Sequence, residues 1–256
     1  MKKTFLLLSA AILAIFPAFA QDSSDKKSEW NFLVEPYLMF PTMKGTVGIS
    51  LLPDGKLDVS AEDIFGSLKS AFMIYGEANN GKWAITADFV YMKLYQGIEP
   101  NNNITGGEVT FEETIFAMEG LYQIQPWLEL GIGGRVVSLA GDMSVSRAGI
   151  GTGGESTTQQ ADLTESWVDP VVLFRAQLPD SEKWILEFKA DYGGFGLGSD
   201  VTYQVQALGG YRFSKLFQAT AGYRSLSIDY FSGSGADRFK YDVKTSGPIV
   251  RFGFNF

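Results

Sequence analysis

Trp184-Ile185-Leu186-Glu187-Phe188-Lys189-Ala190-Asp191-Tyr192 alternates without a break. Trp184, Leu186, Phe188, Ala190 and Tyr192 make one register, and Glu187, Lys189 and Asp191 fall in the other. A helix turns about 100° per residue and would scatter these charges around its axis, whereas an extended chain sends successive side chains to opposite faces. The stretch is therefore a strand with an apolar face and an ionised face.

The same split recurs along the chain. Trp83, Ile85, Ala87, Phe89 and Tyr91 oppose Lys82, Thr86 and Asp88; Leu128, Leu130, Ile132 and Val136 oppose Glu129 and Arg135; Val168, Val172, Phe174 and Ala176 oppose Asp169, Arg175 and Gln177. Ten such segments are predicted, at 30–42, 69–79, 82–95, 107–124, 126–144, 163–178, 183–197, 200–213, 215–230 and 238–256. Asn79-Asn80-Gly81, Gln125-Pro126, Pro179-Asp180-Ser181 and Ser214-Lys215 read as tight turns, and most of the other connections are long. Short turns at one end and long loops at the other mark a transmembrane up-and-down barrel, and an even strand count puts both termini on the periplasmic side. Trp30, Trp83, Trp127 and Trp184 each open an upward strand, with Phe217 in the equivalent place of the fifth. Indole rings favour the headgroup level, so these five are expected to form a periplasmic aromatic girdle.

Lys2-Lys3, an apolar run from Thr4 to Phe16 and Ala18-Phe19-Ala20 have the order of a cleavable secretory signal, predicted to span residues 1–20, with a short polar periplasmic segment at 21–29 and the barrel over 30–256. Without Lys2 and Lys3, 19 basic residues face 29 acidic ones, an excess that excludes a nucleic-acid partner. The chain has no cysteine, so neither a disulfide framework nor a lipid-anchored N-terminus is available. After residue 21 the longest charge-free run, Val201 to Tyr211, is too short for a membrane helix, but a barrel strand needs only about 9–11 residues.

Val250-Arg251-Phe252-Gly253-Phe254-Asn255-Phe256 ends the chain on an aromatic residue with a free carboxylate. It resembles the terminal β-signal of Gram-negative outer-membrane barrel proteins. That resemblance implies recognition by the barrel-assembly machinery, with Phe252, Phe254 and Phe256 in the apolar positions of the signal; a glycine usual a few residues earlier is replaced by Ile249 or Arg251, depending on the alignment. The first strand and Ser246-Gly247-Pro248 also look like a group of small outer-membrane barrels, a likeness that implies no activity. A water-soluble lipocalin-like barrel alternates too, with its faces reversed, and alternation alone leaves both open. The tryptophan recurrence, the phenylalanine terminus and the gathering of charge on one register favour outer-membrane lipid as the surroundings.

With the apolar register in lipid, the lumen receives Glu35, Glu77, Asp88, Glu119, Glu129, Asp169, Glu187 and Asp191 together with Arg135, Arg175, Lys189, Arg212, Arg224 and Arg251. In so narrow a barrel they are expected either to pair into a closing salt-bridge network or to line a thin pore for a small ion. No histidine is present, which excludes serine–histidine, cysteine–histidine and histidine–metal chemistry; no metal or other cofactor is expected, and no enzyme activity. Glu112-Glu113, and Asp88 with Glu119, are residual acid–base candidates. Gly149–Gly154 matches the glycine spacing of dinucleotide sites, but no helix pattern follows it and it reads as an external loop. Ser60-Ala61-Glu62-Asp63 before Ile64, Phe65 and Leu68 has the form of a short capped helix, in a connection that also carries a possible hairpin at Pro53-Asp54-Gly55. If Gly45–Ser50 and Lys56–Ser60 join the wall, the strand count becomes twelve. The expected role is structural or that of a narrow channel. The alternatives are a transporter or binder of a small hydrophobic molecule, with Ile64-Phe65 shaping its way in, and a surface interaction protein acting through loops 98–106, 145–162 and 231–237.

Overall fold

The structure, a computed structural model, describes residues 30–50, 53–98, 100, 104–147, 157–178, 181 and 183–256. The expected signal and the 21–29 segment lie outside the described residues, as do Gly149–Gly154 and the Pro179-Asp180 part of one turn. Twelve antiparallel strands form one sheet: β1 Asn31–Met39, β2 Thr42–Ile49, β3 Gly55–Val59, β4 Leu68–Asn79, β5 Trp83–Ile98, β6 Ile104–Gln125, β7 Leu128–Arg147, β8 Thr157–Gln177, β9 Trp184–Gly193, β10 Val201–Arg212, β11 Phe217–Ser232 and β12 Phe239–Asn255. Ten of them, β1 and β4 to β12, close a barrel through the pairing of β1 with β12, in register from Leu33↔Asn255 to Met39↔Ile249. Both ends of the described chain meet there, since Phe32 and Phe256 exchange backbone hydrogen bonds at 2.8 and 3.1 Å.

The predicted first strand, 30–42, is two. Pro41 has no N–H to give to a ladder, and β1 stops at Met39; the chain bends and continues as β2 along the upper half of β12, Met43 opposite Thr245 and Ile49 opposite Phe239. The bend presses Phe40 onto the facing strand so closely that a Cβ on Gly247 would lie 2.0 Å from the Phe40 carbonyl oxygen. β2 then pairs with β3, Met43 opposite Val59 and Val47 opposite Gly55. The wall is thus ten strands with a two-stranded extension at the loop end.

This detour interrupts the wall. β4 meets β1 only up to Ile74↔Pro36, so Leu68–Met73 pair with β5 alone, and β3 pairs with β2 alone. Helix α1, Ala61–Ser67, lies between these two edges in the chain. Its start is fixed locally: the Asp63 N–H donates to Ser60 Oγ at 3.2 Å, and Asp63 Oδ2 accepts from the Ser60 N–H at 3.1 Å, which satisfies two donors that a helix start leaves open. Ile64 turns inward and is buried, and the Phe65 ring packs on Phe40 at 5.3 Å.

A second notch comes from a short hairpin. The segment predicted at 183–197 leaves the ladder at Gly193 and turns through Gly194, whose φ of 86° suits glycine. β9 and β10 have 10 and 12 residues, enough to span a bilayer, whereas β6, β7 and β8 have 22, 20 and 21. The three long strands project beyond the short hairpin by roughly ten residues, and in the strand ladder Thr157–Pro170 of β8 pair with β7 alone. Trp167 bridges the notch, its indole stacked on Tyr230 of β11 at 3.9 Å and 6°.

Faces segregate as the alternation requires. Ile132 is 71% exposed on the outer surface while Arg135, three residues along the same strand, is 1% exposed. Leu38, Phe72, Met118, Val168 and Leu186 also face out, and Glu35, Asp169, Arg175 and Arg251 are buried inside. A water-soluble barrel has the reverse polarity; this one takes lipid as its outer solvent and spans the membrane with strands.

Candidate functional site

At the end with the short turns, local hydrogen bonds set where the strands begin. Asn80 Oδ1 accepts from the Trp83 N–H at 2.8 Å, Ser181 Oγ from the Trp184 N–H at 2.9 Å and Ser214 Oγ from the Phe217 N–H at 3.0 Å. A short polar side chain three residues before each aromatic thus folds the turn and launches the strand. Trp30, Trp83, Trp127 and Trp184 are exposed and Phe217 is half-buried. Trp83 packs edge-on against Tyr122 at 4.7 Å, and Trp184, Tyr211, Phe213, Phe217 and Phe254 make a chain of ring contacts between 5.2 and 5.7 Å. Phe252 and Phe254 face outward on β12, and Phe256 is exposed at its end.

Inside the turn-end half, ion pairs join neighbouring strands, as Arg251 with Glu35 and Arg175 with Glu129, and strands further apart in the sheet. Arg224 of β11 donates to Asp88 of β5 at 2.8 Å and to the Tyr37 hydroxyl of β1 at 2.9 Å, and Tyr37 donates to Asp88 at 2.6 Å. Arg175 of β8 reaches Glu77 and Tyr75 of β4 as well as Glu129, with Glu187 at 4.0 Å. Lys189 of β9 holds Glu119 of β6. Arg135 Nη2 donates to both Asp191 oxygens at 2.8 Å. Arg251 pairs with Glu35 at 3.4 Å, donates to Gln206 at 2.8 Å and stacks over the rings of Tyr37 and Tyr75. Buried charges survive only when paired and hydrogen-bonded. Here the pairs also act as struts across the lumen.

Two of the predicted lumen charges stand apart. Asp169 forms no ion pair among the described residues: it accepts from the Ser199 N–H at 2.6 Å, the Ser199 hydroxyl at 2.8 Å and the Trp167 indole at 3.2 Å, pinning the β9–β10 turn. Arg212 reaches the Gln218 amide at 3.4 Å near the turn-end mouth, with no ion pair among the described residues. The paired-acid candidates are not brought together either. Neighbours in a strand face opposite ways, so Glu112 pairs outside with Lys93 while Glu113 is buried inside, and Asp88 and Glu119 serve different cations. Sequence reading missed Tyr37, Tyr75 and Gln218, buried in the network beside Gln204 and Gln206 of the polar register of β10; Tyr37 was findable from Glu35, two residues before it on the same face.

The loop-end half breaks the expectation of a uniformly polar lumen. There the inward register turns apolar: Val90, Met92 and Leu94 on β5, Phe111 and Ile115 on β6, Val137 and Leu139 on β7, Leu226 and Ile228 on β11, Phe239, Tyr241 and Val243 on β12. These side chains, with Trp167, Tyr230 and Ile64, form an apolar floor over the charged network. Above the floor lies a chamber of about 510 Å³ between the projecting β6–β8 and the facing β2, β3 and β12. Met43, Val47, Leu57, Val59, Leu163 and Phe239 are among its lining. At the wall gap a smaller cavity of about 120 Å³ runs between Phe40-Pro41, Ile64-Phe65 and Ala71–Met73.

Pairing, closure and polarity define the class: an integral β-barrel of the outer-membrane type. No family model and no curated protein sequence matches the chain. Among solved structures it is similar to the outer membrane protease OmpT from Escherichia coli, with 10% identity over 92% of this chain and 99% of that one at a TM-score of 0.48. It is also similar to the attachment invasion locus protein Ail of Yersinia pestis, with 12% identity, 89% and 98% coverage and a TM-score of 0.33, and to the P. putida toluene transporter TodX, with 10% identity, 93% and 91% coverage and a TM-score of 0.35. Likenesses this distant carry nothing about activity.

Proposed function

We propose that this chain is a non-enzymatic outer-membrane protein that binds a small hydrophobic molecule in the loop-end chamber, above a turn-end half closed by its charges. The observation that carries the reading is the chamber itself, about 510 Å³ of apolar-lined space in the part of the barrel that projects past the short hairpin. Ligand sites are concave, mostly apolar and of this size. The struts beneath it block a straight path for ions, which favours a binder over a narrow channel. In this reading the separate cavity at Ile64-Phe65, which shares no lining residue with the chamber, is the way in from lipid when α1 moves aside. In this reading residues 1–20 direct export, Phe252, Phe254 and Phe256 are read by the assembly machinery, and the tryptophan ring rests at the periplasmic headgroups.

Calorimetric titration of the purified barrel in detergent with n-butylbenzene tests this, after subtraction of partitioning into empty micelles. The expected result is saturable one-site binding that Leu163→Asp, which puts a charge on the chamber wall, weakens by roughly ten-fold or more. Butylbenzene uptake no greater than that of empty micelles overturns the reading.

A further inference from the structure

Among the described residues, the fully buried interior acids have a cation or several donors, with one exception. Glu35, Glu77, Asp88, Glu119 and Asp191 each face an arginine or lysine, and Asp169 takes three donors. Glu113 is 3% exposed and, among the described residues, accepts a single side-chain hydrogen bond, from the Tyr241 hydroxyl at 3.0 Å, and no ion pair. Its surroundings are apolar on every side of the sheet. Met92 and Leu139 are its cross-strand partners, Ile115 follows it on the same face, and Phe111 precedes it. Arg224, whose field reaches it, is committed to Asp88 and Tyr37. A carboxyl placed there raises the cost of folding, and an apolar residue would serve the floor better.

Its position supplies a use. Phe111, Leu139 and Tyr241, which surround Glu113, also line the chamber, so the acid lies directly beneath its lining. Glu165, on β8 directly opposite Leu139, points to the same side one strand further on, roughly 10 Å from Glu113 at two strand spacings. No ion pair holds Glu165 among the described residues. Beneath the apolar lining therefore lie two inward acids with no ion-paired cation among the described residues.

We infer that the chamber selects small apolar molecules that end in an amine, with Glu113 as the group that receives the ammonium. This rests on the chamber being a ligand site. The apolar body fills the chamber, the terminal N–H groups reach the carboxylate through the floor, and Tyr241 holds that carboxylate in place by its hydroxyl. A charge-assisted hydrogen bond in a dry site is worth about ten-fold or more in affinity.

Titrating n-butylbenzene, 4-phenylbutylamine and 4-phenylbutyrate against the purified full-length barrel in a non-ionic detergent separates the possibilities. The amine is expected to bind roughly ten-fold tighter than the hydrocarbon, and the acid more weakly than either. Glu113→Gln, close in shape, is expected to bring the amine to within about two-fold of butylbenzene, and a far-ultraviolet circular-dichroism spectrum matching the original barrel shows that the variant is folded. Equal binding of hydrocarbon and amine, or an amine preference that survives Glu113→Gln, overturns the selection and leaves the chamber standing. Failure of all three probes to bind overturns the chamber as a ligand site and this inference with it.

Discussion

In the turn-end half of the barrel, Arg175, Arg224 and Lys189 tie strands together across the lumen; in the loop-end half, Phe111, Leu163 and Phe239 border open space. β5 to β8 and β12 line both, and along them the inward register simply changes chemistry as it rises. The consequences are opposite. An ion inside the barrel must have its counterion at a fixed distance and angle, so each pair over-determines the positions of two strands. Apolar walls have no directional demand and stay apart without leaving a polar group unsatisfied. A narrow barrel thereby acquires one end that cannot admit a ligand without losing its struts, and one end that can.

The largest effect should come from removing a strut. Arg175→Ala strands Glu77 and Glu129 without their cation, and losing one partner of a buried pair costs about 3–5 kcal/mol. The urea midpoint of the barrel in detergent should fall accordingly while butylbenzene affinity stays within about two-fold of the original. A loss under about 1 kcal/mol, or a chamber that fails together with the strut, would erase the division into two halves.

A smaller change sharpens it. Asp88→Ala with Arg224→Ala removes both charges of one strut, so neither is left buried alone, and the pair of changes should cost less than either made singly. Some of the lumen cross-section is cleared at the same time. Discrete conductance steps in planar bilayers are expected from the double variant and not from the original chain. Steps of equal size from both would mean that the struts never closed the lumen and that the narrow-channel reading is the better one.

The difference between the halves also explains what could be read from the sequence. Alternation is visible where one face is apolar and the other charged, as from Trp184 to Tyr192, and there faces and strand starts follow from the residues alone. Where the inward face is apolar too, as at Phe89-Val90-Tyr91-Met92, the contrast fades, and at Leu226-Ser227-Ile228 it reverses, so inner from outer can no longer be told by polarity. The chamber was invisible for that reason, and β6 to β8 run further into the predicted loops than the pattern suggested. Glu113 was read as half of a Glu112-Glu113 pair because adjacency in sequence hides their opposite directions. The break at Phe40-Pro41 carried a signal in Pro41, but which edge of the barrel the following hairpin would join depends on β12, some 200 residues away. Ser60 to Asp63 was legible because a helix cap is decided within four residues.

That cap gives the smallest effect and the finest test of how the two halves meet, since α1 closes the wall beside the chamber. Asp63 is exposed, and the Ser60 hydroxyl and then the Ser60 N–H hold its carboxyl below the usual aspartate value. A carboxyl depressed in the folded state contributes above its unfolded pKa, and that contribution is lost as the pH falls through its folded value. Loosening of the helix is therefore expected only on the acid side, and not between neutral and alkaline pH. Ser60→Ala removes the acceptor for the Asp63 N–H and should cost α1 about 1 kcal/mol at neutral pH. Hydrogen exchange at Ile64 and Phe65 reads both: faster in the variant at pH 7, and closer to the original chain under acid as the original loses the Asp63 carboxylate half of the capping box. If butylbenzene then exchanges faster with the Ser60→Ala barrel at unchanged affinity, α1 governs passage through the wall. If exchange of the helix quickens and ligand exchange does not, molecules reach the chamber from the loop end alone.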